Sequence, residues 1–442
     1  MLNTQAKKSQ TPPDVYFFAS ENYFPTREKL LKISEELADL LKIDTINCRF
    51  RLLTNSDEVD AVINSTLSAP ELGVFVPFSG QVQRGMLELA TRYKNVAIVN
   101  AYLPGFGLSD SSSSELLCAN AHPAAVDVFA RLKQMNINAF WISTLDDFQR
   151  LMVASAAIAS MRHSRLLSIG GTEAWVINSC VDPRLIRARF GVEILHVGQD
   201  ILAERFKQVQ DGDVSDWVDG YLSSATDHSS INKLELTKAS RLAMAVKLLL
   251  EENDADGCAL ACFALIKTLD TTGCLALSQL NDSEKFIGAC EGDLDAALTM
   301  LLMKNLGAEN FWMGNPIIFP ENEIQLVHCT SARKQGDVVF DYRLMPHHES
   351  GKGVSLDVQL PVGQEVTLAR IGNDLSNILV CRGKTKPVAK LKTCRTQSRI
   401  VIPSSEKFVS AMTGTHVISS LGDFSGELEY FGRLKGLQVD VC

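Results

Sequence analysis

The chain has 442 residues, 46% of them hydrophobic and 21% charged, with a formal net charge of −9. That length is too great for one small domain and points to two or three, while an acidic balance without a basic run excludes a nucleic-acid backbone as partner. No stretch approaches the roughly 18 consecutive apolar residues of a spanning helix, so no membrane partner is expected.

The start, MLNTQAKKSQTPPD, carries two lysines without an apolar stretch behind them and lacks the layout of a secretory signal; it reads as a frayed, cytoplasmic N-terminus. From there to about residue 165, short apolar runs alternate with amphipathic stretches, the rhythm of an open parallel sheet covered by helices. The strand-like runs are VYFFAS, GVFVPFSG, NVAIVNAYLPG and NAFWISTL, with helix-like segments at Arg84 to Lys94 and Ala124 to Gln134. Loops after such strands bind ligands in doubly wound sheets, which singles out Ser79, Gly80, Gln81 and a Ser-rich turn at Ser109 to Ser114.

A second α/β round begins at RLLSIGG, whose paired glycines permit a tight turn or a close approach of backbone to ligand. Helix-like Asp182 to Phe190, strand-like VEILHVG, helix-like Ile231 to Glu252 and strand-like CALACFALI continue it. Its last helix follows ACEGD, with Leu294, Ala297, Leu298, Leu301 and Leu302 at a helical period and Gly307 as the stop. After about residue 306 the pattern changes to closely spaced strands: IQLVHCTSA, DVVFDYRLM, GVSLDVQLP, QEVTLARIG and NILVCRGKT. A mainly antiparallel, barrel-like domain follows from that spacing. The tail adds strand-like THVISSLG, a helix over Gly426 to Lys435 with Asp423 or Ser425 as N-cap, and a last strand LQVDV.

The expected fold class is α/β: two Rossmann-like α/β domains over residues 1–165 and 166–306, then a β-rich, barrel-like domain over residues 307–442. The 11 cysteines include no CxxC and sit mostly in apolar stretches, which argues for reduced core thiols, with Cys290 and Cys329 as packing at strand ends.

Four polar residues stand at the ends of strand-like segments: Glu291, Asn315, His328 and His416. Two carboxylate or carboxamide oxygens and two imidazoles form a set that can hold one divalent cation. Taken singly, Glu291 reads equally as a first-turn carboxylate facing exposed backbone N–H groups, and the two histidines as strand-end residues. His347, His348 and Glu349 read as a solvated turn or a substrate contact. A helical HExxH site is absent, as is any GxGxxG or P-loop pattern after a strand.

ACEGDLDAALTMLLMKNLG, FWMGNP, LVHCTSAR, HHESGKGVSLDVQLPVGQEVTLARI and GTHVISSLGDFSGELEYFGRLKGLQV, in that order, resemble the L-fucose/L-arabinose isomerase superfamily, most of all its shorter fucose isomerase-like members. The resemblance covers the C-terminal half motif by motif and the N-terminal half as the repeated α/β pattern. It implies a cytoplasmic, metal-dependent aldose–ketose isomerase acting through an ene-diol on a pentose, a deoxyhexose or a substituted hexose. The cation it implies is manganese or another divalent ion.

Glu291 matches the family's acidic ligand and proton carrier, Asn315 stands where fucose isomerases place a metal-binding aspartate, and His416 matches the histidine of their C-terminal turn. His328 resembles the extra histidine ligand of arabinose isomerases. Asn315 departs from the pattern, since an amide brings no charge and accepts no proton; Asp293 or His328 could take up the missing role. Expected substrate contacts are Gln81, Asn120, His348 and Lys352, with Arg333, Lys334 and Glu349 in reach, and the basic ones suit an anionic sugar or, equally, a solvated charged face. The family assembles as symmetric oligomers with sites at subunit interfaces, which implies a homo-oligomer here. A sugar-binding or regulatory protein on the isomerase scaffold is the alternative, because fold alone does not guarantee activity.

Overall fold

A computed structural model describes residues 13–43, 46–65, 70–372 and 374–442. The N-terminal segment read above as frayed lies almost wholly outside the described residues. The chain divides into two compact units between Ala156 and Ala157.

The first unit holds strands β1 (Asp14–Phe18), β2 (Arg49–Leu53), β3 (Leu72–Pro77), β4 (Asn95–Val99) and β5 (Asn138–Ile142). They form one parallel sheet in the order β2-β1-β3-β4-β5. Helices α1 (Arg27–Leu40), α2 (Ser56–Ser65), α3 (Gln83–Ala90), α4 (Asp110–Cys118) and α5 (Ala121–Gln134) make the connections, and α6 (Leu145–Met161) follows β5. Strands β3 and β4 are buried on both faces, which is why their sequences read as continuous apolar runs. The Ser-rich stretch at Ser109 to Ser114 is not a turn. It opens α4, with Ser109 as N-cap accepting from the Ser112 N–H and the Ser112 hydroxyl held by Glu36.

The second unit contains a second parallel sheet, β6 (Arg165–Ile169), β7 (Glu193–Val197), β8 (Gly257–Leu260) and β9 (Ile287–Cys290), in the order β7-β6-β8-β9. Its helices are α7 (Pro183–Phe190), α8 (Gln199–Gln208), α9 (Ser215–Ser224), α10 (Lys233–Glu252), α11 (Phe263–Thr268), α12 (Cys274–Asn281) and α13 (Leu294–Asn305). CALACFALI therefore splits: the strand stops at Leu260, and the Glu173 carboxylate accepts the Phe263 N–H as α11 begins.

The rest is β-rich: β10 (Phe311–Phe319), β11 (Glu323–His328), β12 (Lys334–Gln335), β13 (Val338–Val339), β14 (Tyr342–Met345), β15 (Ser355–Val358), β16 (Glu365–Gly372), β17 (Asn377–Lys386), β18 (Thr396–Val401), β19 (Val417–Leu421) and β20 (Gln438–Val441). Helices α14 (Ser405–Ala411) and α15 (Ser425–Lys435) complete the chain. Antiparallel pairing runs β16-β19-β10-β11-β18-β17 and returns from β17 to β16, so six strands close into a barrel, with β20 added in parallel beside β17. Closure removes the free sheet edges, and Trp312, Ile324, Leu326, Leu368, Leu379 and Ile400 join one apolar cluster there. DVVFDYRLM, one run in sequence, changes partner midway: β13 pairs with β12 and β14 with β15.

Helix α13 is covered on all sides, from Leu294 through Met303, because it lies among β8 and β9 of the parallel sheet and β10, β16 and β19 of the barrel. Among the described residues no helix is long and apolar enough to cross a membrane.

Candidate metal centre

In open α/β sheets the carboxyl ends of the strands face the ligand, and two such ends in the second unit approach one another. After β6, Gly170 and Gly171 both adopt positive φ. After β9, Glu291 (φ 59°) and Gly292 (φ 64°) are both left-handed. A Cβ on Gly292 would lie 2.0 Å from the Gly171 carbonyl oxygen, so the two loops touch through bare backbone. Glu291 is thereby held in a conformation that a non-glycine residue adopts at a cost of about 1–3 kcal/mol, offset by the surrounding bonds. These include the Glu173 N–H to the Glu291 carbonyl (3.0 Å) and the Thr172 hydroxyl to the Gly292 carbonyl (2.9 Å).

The strained turn aims the Glu291 carboxylate at two barrel residues, His328 at the end of β11 and His416 just before β19. One ligand atom from each of Glu291, His328 and His416 lies within 4.8 Å of the other two. Glu291 Oε1 is 3.5 Å from His416 Nε2 and 3.8 Å from His328 Nε2, while Glu291 Oε2 accepts the Trp175 indole N–H at 2.7 Å.

Each imidazole is oriented through its other nitrogen. His328 Nδ1 meets the Thr330 hydroxyl at 2.9 Å, and His416 Nδ1 meets Asp293 Oδ2 at 2.9 Å. Asp293 also caps α13 through the Ala296 N–H and pairs with Arg370 at 3.0 Å. Arg370, fully buried, donates further to the His416 carbonyl at 2.8 Å. Gly414 packs on that guanidinium, where a Cβ would come within 2.3 Å of Nη2. Asp295, 3.8 Å from Arg370, accepts the Cys180 N–H.

The protonation states follow from this arrangement. Burial opposes ionisation of Glu291, but the two imidazoles outweigh it and hold the carboxyl below its usual range. Burial likewise works against Asp293 and is outweighed by Arg370 and His416. Asp295 is pushed up to about 7 by burial and by Asp293, against the pull of Arg370. Burial lowers the His328 pKa; at His416 burial is overcome by the hydrogen bond to Asp293 and the nearby Glu291 carboxylate, and the pKa rises.

The donors fit a divalent cation. His416 Nε2 is buried and makes no hydrogen bond, an orphan of the kind a metal ion satisfies. A carboxylate with two imidazoles suits manganese or zinc, and carboxylate–histidine pairing is the support such ligands receive.

Asn315 lies on β10, the strand between β11 and β19, opposite Val327; its Oδ1 accepts the hydroxyl of Thr415, the residue before His416. Gln81 and Asn120 belong to the first unit. Both have positive φ and are exposed on neighbouring loops past the carboxyl end of β3, where the Gly80 N–H bonds the Ala119 carbonyl. Lys352 is paired with Asp270 at the surface, and His348 lies beside Cys329 and Cys394 instead of among Glu291, His328 and His416.

Trp175, Arg370 and the coupling of Asp293 to His416 escaped the sequence analysis. Asp293 reads as an N-cap and is one, which conceals its second partner 123 positions away. The signal for Arg370 is a lone arginine out of place in the apolar run QEVTLARIG. A cavity of about 570 Å³ lies over the segment leading to His416, lined by Ile177, Asn178, Ser179, Asp374, Met412, Thr413 and Gly414.

No family model matches the chain. It is similar to the sulfoquinovose isomerase of Alkalicoccus urumqiensis, at 22% identity over 355 residues, which cover 76% of this chain and 77% of that protein. An enzyme named for isomerising a sugar is thus a distant relative across most of both chains.

Proposed function

We propose that the protein is a divalent-cation-dependent aldose–ketose isomerase acting on a substituted hexose, with an anionic sugar as the first candidate. The observation that carries this reading is the convergence of Glu291, His328 and His416 from two separate sheets, with the His416 Nε2 lone pair buried and unpartnered. The distant similarity to a sulfoquinovose isomerase supports the reaction class and a charged substituent.

Glu291, His328 and His416 would hold the cation, with Asn315 contributing an amide oxygen. A bound divalent ion supplies Lewis acidity, polarising sugar oxygens and easing formation of the ene-diol. Glu291 is the proton carrier between C1 and C2: its carboxyl stays ionised, one oxygen is anchored by Trp175, and the other faces the imidazoles. Asp293 fixes the Nδ1–H tautomer of His416 and so directs Nε2 inward. Arg370 neutralises Asp293, which lets a carboxylate persist at full burial. The amide of Asn315 cannot take a proton, so shuttling falls on Glu291 alone in this chain.

The test is manganese-dependent exchange in deuterated water. Protein stripped with chelator and reloaded should incorporate deuterium at C1 or C2 of one sugar from a panel of sulfonated, phosphorylated and neutral aldoses. Glu291→Ala should lose at least about 10²-fold in turnover, as loss of a general base does. Full activity in that variant, or exchange independent of any cation, defeats the proposal; manganese binding without exchange on any sugar favours the sugar-binding alternative.

A further inference from the structure

The basic side chains of the β-rich region differ in what answers their charge. Arg333 is paired with Asp282 and Lys352 with Asp270, while Arg343 and Lys390 share Asp357. Arg395, the residue before β18, is half-buried and has no carboxylate within ion-pair distance among the described residues. Its Nε donates to the Pro346 carbonyl at 2.9 Å, and no described residue bonds its two terminal nitrogens. A guanidinium does not lose its proton in a protein. Drawing one partly out of water without an anion costs free energy that a bound negative group would recover.

The fold brings that charge beside the candidate metal centre. Thr396, the next residue, pairs with His328 across the β11–β18 ladder, where facing Cα atoms stand about 4.5–5.5 Å apart. One ligand atom each of Cys329, His348 and Cys394 lie within 4.8 Å of one another, so the end of β11, the histidine turn after β14 and the start of β18 meet there.

A row of flat side chains leads from the carboxylate to the same turn. Trp175 donates to Glu291 Oε2 at 2.7 Å and meets Phe263 edge-on, with ring centroids 4.8 Å apart. Phe263 meets His347 at 5.8 Å, and His347 meets His348 at 5.1 Å. Pro346, whose carbonyl holds Arg395, immediately precedes the two histidines. The row curls back on the centre, because a His347 nitrogen lies within 4.8 Å of the sulfur of Cys329, the neighbour of His328. Electrostatics agree with this closeness. Burial lowers the His347 pKa to about 4, with His348, His328 and Arg395 adding to the fall and Glu291 opposing it, so one imidazole feels both Arg395 and Glu291.

We propose that Arg395 is the specificity-determining residue for an anionic sugar, its terminal nitrogens binding a sulfonate or phosphate group while the carbonyl end of the sugar lies at Glu291, His328 and His416. The inference rests on the isomerase reading and adds to it the side chain that selects the charged substituent. The planar guanidinium fork offers two parallel N–H donors, which match two oxygens of a tetrahedral oxyanion. The bond from Nε to Pro346 fixes the plane of that fork before any ligand arrives.

Calorimetric titration of the manganese-loaded, full-length protein tests it, with a sulfonated aldohexose, the corresponding phosphate ester and the neutral parent sugar as probes. The wild type should bind an anionic probe about 10²-fold more tightly than the neutral one, and Arg395→Met should bring that ratio close to unity. Arg395→Lys, which keeps the charge and loses the fork, should fall between the two. Retained manganese affinity shows that each variant has folded around the centre. Competition in the wild type gives a readout that needs no variant: excess methanesulfonate should displace an anionic probe and leave the neutral one bound. Whichever of sulfonate and phosphate binds more tightly names the substituent. Turnover is recorded on the same probes, so this binding pattern without isomerisation keeps the assignment of Arg395 and defeats the isomerase reading. An anionic probe bound no more tightly than the neutral sugar, or discrimination undiminished in folded Arg395→Met, overturns the assignment.

Discussion

Asp293 connects more of the centre than any other single side chain. It accepts from His416 Nδ1 at 2.9 Å and from Arg370 at 3.0 Å, and caps α13, all without solvent exposure. Replacing it with Asn keeps the size but removes the charge that stabilises Nδ1–H, so Nε2 no longer has an assured lone pair toward the cation. Asp293→Asn should weaken manganese binding by about 10- to 100-fold, measured by titration of the stripped protein; Asp295→Asn, which has no contact with either imidazole among those described, serves as control and should bind normally. Asn315 offers the opposite test. Its amide accepts from Thr415 between the strands that deliver His328 and His416, so Asn315→Asp should add a negative charge there and raise cation affinity on the order of tenfold. Unchanged affinity would remove Asn315 from the ligand set.

At the level of elements, α13 carries a cost that its sequence does not announce. LDAALTMLLMKN reads as an amphipathic helix, yet both of its faces are covered, one by the parallel sheet and one by the barrel. Lys304 in its last turn is consequently half-buried, and burial, partly opposed by Asp256, lowers its pKa to about 8. Below pH 8 both folded and unfolded chains hold this proton and the penalty is constant. Between pH 8 and about 10.5 the unfolded chain binds more protons than the folded one, so stability rises with pH. Lys304→Met should therefore be more stable than wild type by about 2 kcal/mol near pH 7, the gap closing as pH approaches 10; denaturant midpoints across that range would show it, and a constant gap would refute the burial argument.

The same elements mark how far sequence reasoning reaches. Apolar runs such as GVFVPF and NVAIV located strands because burial on both faces leaves a continuous signature. Closely spaced strands after residue 306 forecast the barrel for the same reason. Glu291, His328 and His416 were legible through position at strand ends and through family resemblance. Partners such as Trp175 and Arg370 were not, because a contact across 116 or 77 residues is a property of the fold and leaves no local periodicity. Cys274 and Cys329 read as scattered core thiols because their approach likewise depends on a helix start and a strand end far apart in sequence.

Among the described residues, the candidate metal ligands lie in one of two units. Each unit has an apolar core of its own: Tyr16, Phe18, Phe75, Met86 and their neighbours in the first, and the barrel interior in the second. Every residue in the carboxylate–imidazole centre and in its supporting network falls between Ala157 and Cys442. A ligand that binds only the folded form stabilises whatever unit contains its site, by about 2.7 kcal/mol at a concentration 100 times its dissociation constant. For a unit of this size that corresponds to a rise of roughly 5 °C. Calorimetry of stripped protein should resolve two transitions, and saturating manganese should raise one by that amount while leaving the other in place. The transition that moves can be assigned by repeating the scan with His416→Ala, in which it should no longer respond. If both transitions shift together, or if one cooperative transition appears throughout, the two cores do not unfold independently and the division at Ala156 is one of geometry alone.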